Sequence, residues 1–340
     1  MKNRYKVLIA VAACIAALVA AVGGGSVSIS PAAILQILGH QLFGLTLPET
    51  IDGITVSILW NVRLPRALLA FVVGAALAVS GTVMQSVLKN PLASSYTLGV
   101  SSGASLGAAL VIIFGLTLPV AGMFTLPLAG TLCGLLTVFL VMAFAARLDR
   151  HVENQTIILV GMVLSLFVNA VLTLLTYRFR EHMQRLITWQ MGSFSGRDWS
   201  HLGVVFPIAV IGILLLAGFA KEMDIMTFGE EQAMIIGVEL KRTKLILIGL
   251  SALLTGASVA FAGVIGFIDL IAPHVVRRIF GSSHKLVVPM SALFGGAFMA
   301  LADLLARTLT APSELPVGAV TALVGAPFFA YVYFKKRKRV

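Results

Sequence analysis

Gly99-Val100-Ser101-Ser102-Gly103 matches the G-x-S-x-G pattern of a hydrolase nucleophile elbow. That pattern does chemistry only where a strand enters the turn, a helix leaves it, and a histidine and a carboxylate activate the serine. Here it opens an apolar segment, and no such pair is evident for Ser101. Gly99, Gly103 and Gly107 recur at four-residue spacing, which gives one smooth helix face where another backbone approaches closely. Packing is the preferred reading. Asp269 and Asp303 are the carboxylates set deepest in apolar surroundings, where such groups mark pathways, ion pairs or caps. Asp303 and Arg307 share a helix face at i,i+4 and are expected to pair. Asp269 precedes a short apolar stretch and is read as its cap, with pathway lining as the other role. His274, following Pro273 inside that stretch, is read as a structural histidine. No His/Cys/carboxylate group has metal spacing and no G-x-x-x-x-G-K-[ST] occurs, so no metal, cofactor or P-loop nucleotide site is expected.

The elements that must hold these residues belong in a bilayer. Of the 340 residues, 59% are hydrophobic and 11% charged, and mean hydropathy is +1.00. Soluble domains carry about 25% charged residues, so this chain cannot coat a water-facing surface. The net charge of +11 is held at the ends of apolar runs, as membrane anchors, which argues against nucleic acid. Cys14 and Cys133 sit apart in apolar runs and read as small hydrophobes.

Uncharged runs cover Val7–Val22, Ala67–Leu88, Leu92–Ala146, Gln155–Thr176, Leu202–Ala220, Leu245–Ile268, Leu286–Ala302 and Leu315–Phe334. The first is read as a retained helix, since no clean small-residue cleavage site follows it. A crossing needs about 20 residues, so Leu92–Ala146 must hold two, broken near Gly115, Pro119 and Gly122. Lys2, Arg4 and Lys6 at one terminus and Lys335–Arg339 at the other place both ends in the cytoplasm. Both ends inside requires an even count, so Leu270–Phe280 is read as a half-length crossing, for about ten in all. Every lysine then falls inside, with Arg150 among the inner cations. Arg63, Arg66, Arg178, Arg180, Arg185, Arg197 and Arg307 fall outside, a face suited to an acidic partner.

Between spans, Pro31–Leu42 is expected as a short outer helix capped by Ser30. A polar turn, Ser195–Asp198, precedes Ser200, which is expected to open the sixth span. The longest inner loop is 221–244. Within it, Phe228, Gly229, Glu230 and Glu231 lead into a short amphipathic helix through Ala233 that Gly237 ends. Its acidic start disfavours anionic lipid and favours insertion into a soluble partner.

Taken in order, the motifs resemble the FecCD/BtuC-type permease family of ABC importers for iron siderophores, haem and cobalamin. They are Arg63-Leu64-Pro65-Arg66, Ser80-Gly81 with Gln85, Asn90-Pro91-Leu92-Ala93 and Leu98-Gly99-Val100-Ser101-Ser102-Gly103-Ala104. There follow Gly229-Glu230…Ala233…Gly237, Gly266-Phe267…Pro273-His274…Arg277, Ala302-Asp303, Glu314-Leu315-Pro316-Val317-Gly318 and Gly325-Ala326-Pro327-Phe328-Phe329. The resemblance implies an all-α, BtuC-like membrane domain over 1–340 in a prokaryotic plasma membrane. It implies a homodimer or a pairing with a paralogous permease, two cytoplasmic ATPase subunits, and an external substrate-binding protein. It implies that Arg63, Arg66 and Arg307 receive acidic residues of that binding protein, and that Phe228–Leu240 docks on the ATPase. The family usually carries glycine where this chain has Asp269. Two rivals remain at this point: an ion-coupled carrier using Asp269, and an intramembrane hydrolase using Ser101.

Overall fold

A computed structural model describes residues 2–25, 28–119, 122–149 and 152–337. Arg150, Lys338 and Arg339, expected on the inner face, lie outside the described residues. Among the described residues there are fifteen α-helices and no strand. Helix α1 (Lys2–Gly23) leads to α2 (Pro31–Phe43), where Ser30 accepts the Ala33 N–H at 3.2 Å, the expected cap. Helix α3 (Gly53–Ser57) runs through a π-helical turn, Ile58–Arg63, into α4 (Leu64–Val87).

Leu92–Ala146 is divided differently from the expected two full spans. Turns occupy 88–99, α5 covers only Val100–Phe114, and α6 covers Thr125–Leu148. Gly115, with φ 61°, ends α5, so the break begins before Pro119. Then come α7 (Asn154–Arg178), α8 (Met183–Gln190) and α9 (Trp199–Gly218). Asp198, not Ser200, opens α9, accepting the Ser200 and His201 N–H groups while the His201 ring returns to the Asp198 backbone.

The loop side holds α10 (Ala220–Thr227) and α11 (Glu230–Ile235). Helix α12 (Leu240–Ala262) starts earlier and stops earlier than the uncharged run, because Gly263 breaks it at φ 79°. Helix α13 (Ile268–Phe280) is the expected short helix; at 13 residues it is about 20 Å long. Helices α14 (His284–Thr308) and α15 (Val317–Arg337) complete the chain. Among the described residues, seven helices are long and apolar enough to cross a bilayer; the others that ten crossings would need are the shorter α5, α13 and described part of α15.

Helix α4 is the axis of the bundle. Its most apolar window is 89% buried, against 28% for α7. Three neighbours reach it through small residues. Gly74 and Gly295 face each other so closely that a Cβ on either would strike the opposite carbonyl, which brings α14 against α4. Gly81 meets the backbone of Asp269 in the same way. Ser80 joins Ser95 and Thr255 at 2.7 Å each, tying α4 to α12 with hydroxyls satisfied in place of water. Away from this axis, Gly103 and Gly107 lie against the Cys133 and Ala129 carbonyls of α6, as the glycine spacing implied.

Candidate functional site

Two polar constellations sit at opposite ends of α4. Arg66 and Ser86 are separated by twenty residues of unbroken helix, about 30 Å at 1.5 Å per residue.

At the Arg66 end the side chains are engaged within the chain. Arg66 grips Asp303 of α14 through Nε at 3.0 Å and Nη2 at 2.8 Å. It also holds Glu314 through Nη1 at 2.7 Å and Nη2 at 3.0 Å. One planar fork thus serves two carboxylates, which arginine can do and lysine cannot. Asp303 is 1% exposed, so its charge is viable only because the pair is complete. The Arg66 hydrogen bond holds the Glu314 carboxyl below its ordinary pKa.

The expected Asp303–Arg307 pair is secondary. Arg307 Nε stands 3.5 Å from Asp303 and makes no hydrogen bond there. Arg307 instead donates to Gly24 O at 2.9 Å and to Ala21 O, while Arg63 donates to Gly23 O at 3.0 Å. Helix α1 has no cation in its own last turn, and these two guanidiniums supply positive charge to its bare carbonyls. Arg63, Arg66 and Arg307 are therefore brought together, with their side chains largely buried. Helix-end carbonyls and carboxylates occupy them.

At the other end the constellation is split between anchor and surface. Glu230 opens α11 and accepts Lys244 Nζ at 3.0 Å and Asn154 Nδ2 at 3.1 Å. Lys244 is 2% exposed and also donates to Val152 O at 3.2 Å. Ala233 is fully buried beneath α11. Gly237, at φ 101°, closes the helix: its N–H reaches Met234 O at 3.0 Å and the Val238 N–H reaches Ala233 O at 2.9 Å. So pinned, the segment leaves Phe228, Met234, Ile235 and Ile236 in the open, with Ile235 at 85% exposure. Gly229, Glu231, Met234 and Glu239 belong to this same exposed turn, and a groove of about 910 Å³ runs between Glu153, Glu231 and Leu245.

A buried chain of hydrogen bonds connects this end to α4, and no sequence signal announced it. Asp224 of α10 accepts His284 N at 2.9 Å and lies 2.6 Å from His284 Nδ1. His284 Nε2 meets Ser86 at 2.6 Å; Arg277 donates to Ser86 and to Gln85 Oε1, both at 2.8 Å. Burial raises the Asp224 carboxyl pKa, but the His284 bonds outweigh it and hold the carboxyl below its ordinary value. The partners lie 60 to 198 residues apart, beyond any periodicity.

Asp269 is not the cap of α13. Phe267 occupies that position with no side-chain capping bond, and the Asp269 carboxylate accepts from Ser94 instead. Pro273 and His274 lie inside α13, with Pro273 buried and His274 half-buried. No group of three metal-ligating side chains occurs among the described residues. Gly99 caps α5 at φ 84°, and no hydrogen bond joins Ser101 to a histidine or carboxylate among the described residues, so the hydrolase geometry is missing.

An all-helical bundle with seven helices long and apolar enough to cross a bilayer among the described residues is that of a polytopic membrane protein. The chain belongs to the FecCD transport family, whose model matches residues 9–335. An uncharacterized ABC transporter permease protein, YvrB of Bacillus subtilis, is 40% identical over 92% of this chain and 89% of its own. The cobalamin import system permease protein BtuC of Halobacterium salinarum is 39% identical over 89% of this chain and 78% of its own. Relatives named for hemin, Fe(3+) dicitrate and molybdate transport match at 38%, 35% and 34% identity. A solved inward-facing structure of a proposed metal-chelate type ABC transporter superposes with a TM-score of 0.84 at 31% identity, covering 97% of this chain and 99% of that one.

Proposed function

We propose that this chain is the membrane-spanning subunit of a binding-protein-dependent ABC importer of metal chelates, with ferric siderophores the leading cargo and haem and cobalamin the others in range. Two copies, or one copy and a paralogous permease, enclose the pathway. Two ATPase subunits dock from the cytoplasm on α10–α11, and both termini lie on that side of a prokaryotic plasma membrane. ATP hydrolysis belongs to those subunits. Differential binding of ATP to the two conformations supplies the shift between outward and inward openings.

One observation carries this reading. A turn that is anchored by a buried lysine displays bare Phe228, Ile235 and Ile236 beside α10, which joins the Ser86 end of α4 through Asp224 and His284, while a cluster of arginines lies at the opposite end of that helix. Rigid anchoring beneath an apolar face suits a groove-inserting helix. Arg63, Arg66 and Arg307 remain the docking candidates for the binding protein through exchange. Glu314, whose side chain is 34% exposed, is the outermost partner of Arg66 and the one an incoming carboxylate would replace.

The test is uptake of a ferric chelate into proteoliposomes holding the permease, its ATPase and its binding protein. Ile235→Asp with Ile236→Asp should abolish ATPase association and uptake while leaving the melting temperature of the permease unchanged. Uptake that continues with no ATPase present would replace this reading with an ion-coupled carrier.

A further inference from the structure

One pocket outside these constellations holds more positive charge than its walls satisfy. It encloses about 540 Å³ between α8, the turn 192–198, the end of α12 and Ile112 of α5. Arg185 and Arg197 line it, with Gln184, Thr188, Trp189 and Ser193, and no carboxylate does. The nearest acids in sequence are turned elsewhere. Asp198 bonds the His201 ring at 2.7 Å, and Glu181 lies 3.9 Å from His182. Two donors in the pocket wall have no acceptor among the described residues: the Trp189 indole N–H and Arg197 Nε–H. Arg197 Nη1 is bonded to a ring nitrogen, His201 Nε2, at 3.2 Å, and to no carboxylate among the described residues. A buried donor without an acceptor is costly, and a charged one more so. Burial accordingly lowers the Arg197 pKa, which Asp198 opposes without contacting it.

The pocket belongs to the Arg66 end. The Val317 and Gly318 N–H groups bond Gly192 O at 3.1 Å and Met191 O at 3.2 Å, and Ser195, another lining residue, helps to hold the Glu314 carboxyl below its ordinary pKa. In the orientation proposed above this is the outer mouth. Its volume falls in the ordinary range for small-ligand sites, roughly 300–1,000 Å³. Two guanidiniums with amide, hydroxyl and indole donors form a surplus of donors over acceptors, which is the recognition chemistry of carboxylate oxygens.

We propose that this pocket is a subsite for an anionic chelate bearing carboxylate oxygens, so that the cargo of this transporter is negatively charged and not a neutral corrinoid. The inference rests on the permease reading and names the cargo class within it. Arriving cargo meets Arg185 first, since it is the exposed member, and then Arg197 deeper in the wall. The bound carboxylates supply the acceptors that the wall lacks.

Equilibrium dialysis of the full-length protein in zwitterionic nanodiscs tests this, with ferric dicitrate and cyanocobalamin as probes. Ferric dicitrate should bind, should weaken as salt is raised, and should lose about tenfold or more in affinity in Arg185→Gln and in Arg197→Gln. The salt titration uses the unaltered protein, so it decides the matter even if a variant fails to fold. No binding of ferric dicitrate, equal or tighter binding of cyanocobalamin, indifference to salt, or wild-type affinity in both variants overturns the proposal. These outcomes leave the ATPase requirement for uptake untouched, so this inference and the permease reading fail on separate measurements.

Discussion

Arg66 and Lys244 are both buried cations, one at each end of the bundle, and they are satisfied in different ways. Arg66 spreads a rigid fork over two carboxylates, closing α4, α14 and the segment before α15 into one knot. Lys244 places a point charge between one carboxylate and one carbonyl. It pins the base of α11 and leaves the turn above it bare. One end is complete within the chain; the other is fixed in place yet unfinished on its outer face. Unfinished apolar surface on a rigid support is what a partner requires, and charge that is already paired is what a partner must displace.

The contrast is broken or sharpened by substitution and by pH. Arg66→Met strands the buried Asp303 charge and should destabilise by about 3–5 kcal/mol, whereas Arg66→Met with Asp303→Leu should recover most of it. Thermal unfolding in detergent measures both, and an equal loss from single and double variants would break the account of the knot. Lys244→Met should lose about 1–3 kcal/mol, because Glu230 is partly exposed and water can replace the lysine. Hydrogen exchange should then rise across α11 and stay unchanged around Arg66; a rise at both ends would mean that the ends are not independent. Gly103→Ala drives a methyl into α6 and should cost about 1–3 kcal/mol. Ser101→Ala beside it should stay within about 0.5 kcal/mol, which separates packing from catalysis.

The smallest effect is on pH. The Glu314 pKa is lowered in the folded protein, so its contribution is present above the ordinary carboxylate pKa and is lost as pH falls through the lowered one. The melting temperature should begin to fall below about pH 4, less steeply in Glu314→Gln, with the effect muted by solvent at this partly exposed group. An identical acid profile in that variant would remove Glu314 from the knot.

Much of the architecture was legible in the sequence because hydrocarbon imposes simple rules on length and polarity. The apolar runs marked the spans, Ser30 marked a cap, and Glu230 with Gly237 bounded α11 to within two residues. The errors fell where a local rule met a tertiary competitor. Asp269 was placed to cap α13 but is drawn to Ser94 across the bundle. Asp303 had a partner at i,i+4, yet Arg66, from a helix 237 residues away in the chain, offers two aligned donors and prevails. Arg63 and Arg307 are expected as exposed cations, but the orphan carbonyls at the end of α1 engage them, which a count of charges does not reveal. The Asp224–His284–Ser86–Arg277 chain was illegible for the same reason: each link joins distant segments, and none leaves a local pattern.

Helix α4 and helix α14 are clamped together at four levels. Arg66–Asp303 fastens one end, Gly74 against Gly295 and Thr82–Ser291 fasten the middle, and Ser86–His284 fastens the other end. Two rods riveted along their length cannot shear or bend separately. Asp224 of α10 is bonded to His284, so the strut is tied to the inner loop at one end and to the arginine knot at the other. Such a stiff axis contrasts with α7, whose most apolar window is only 28% buried within the chain.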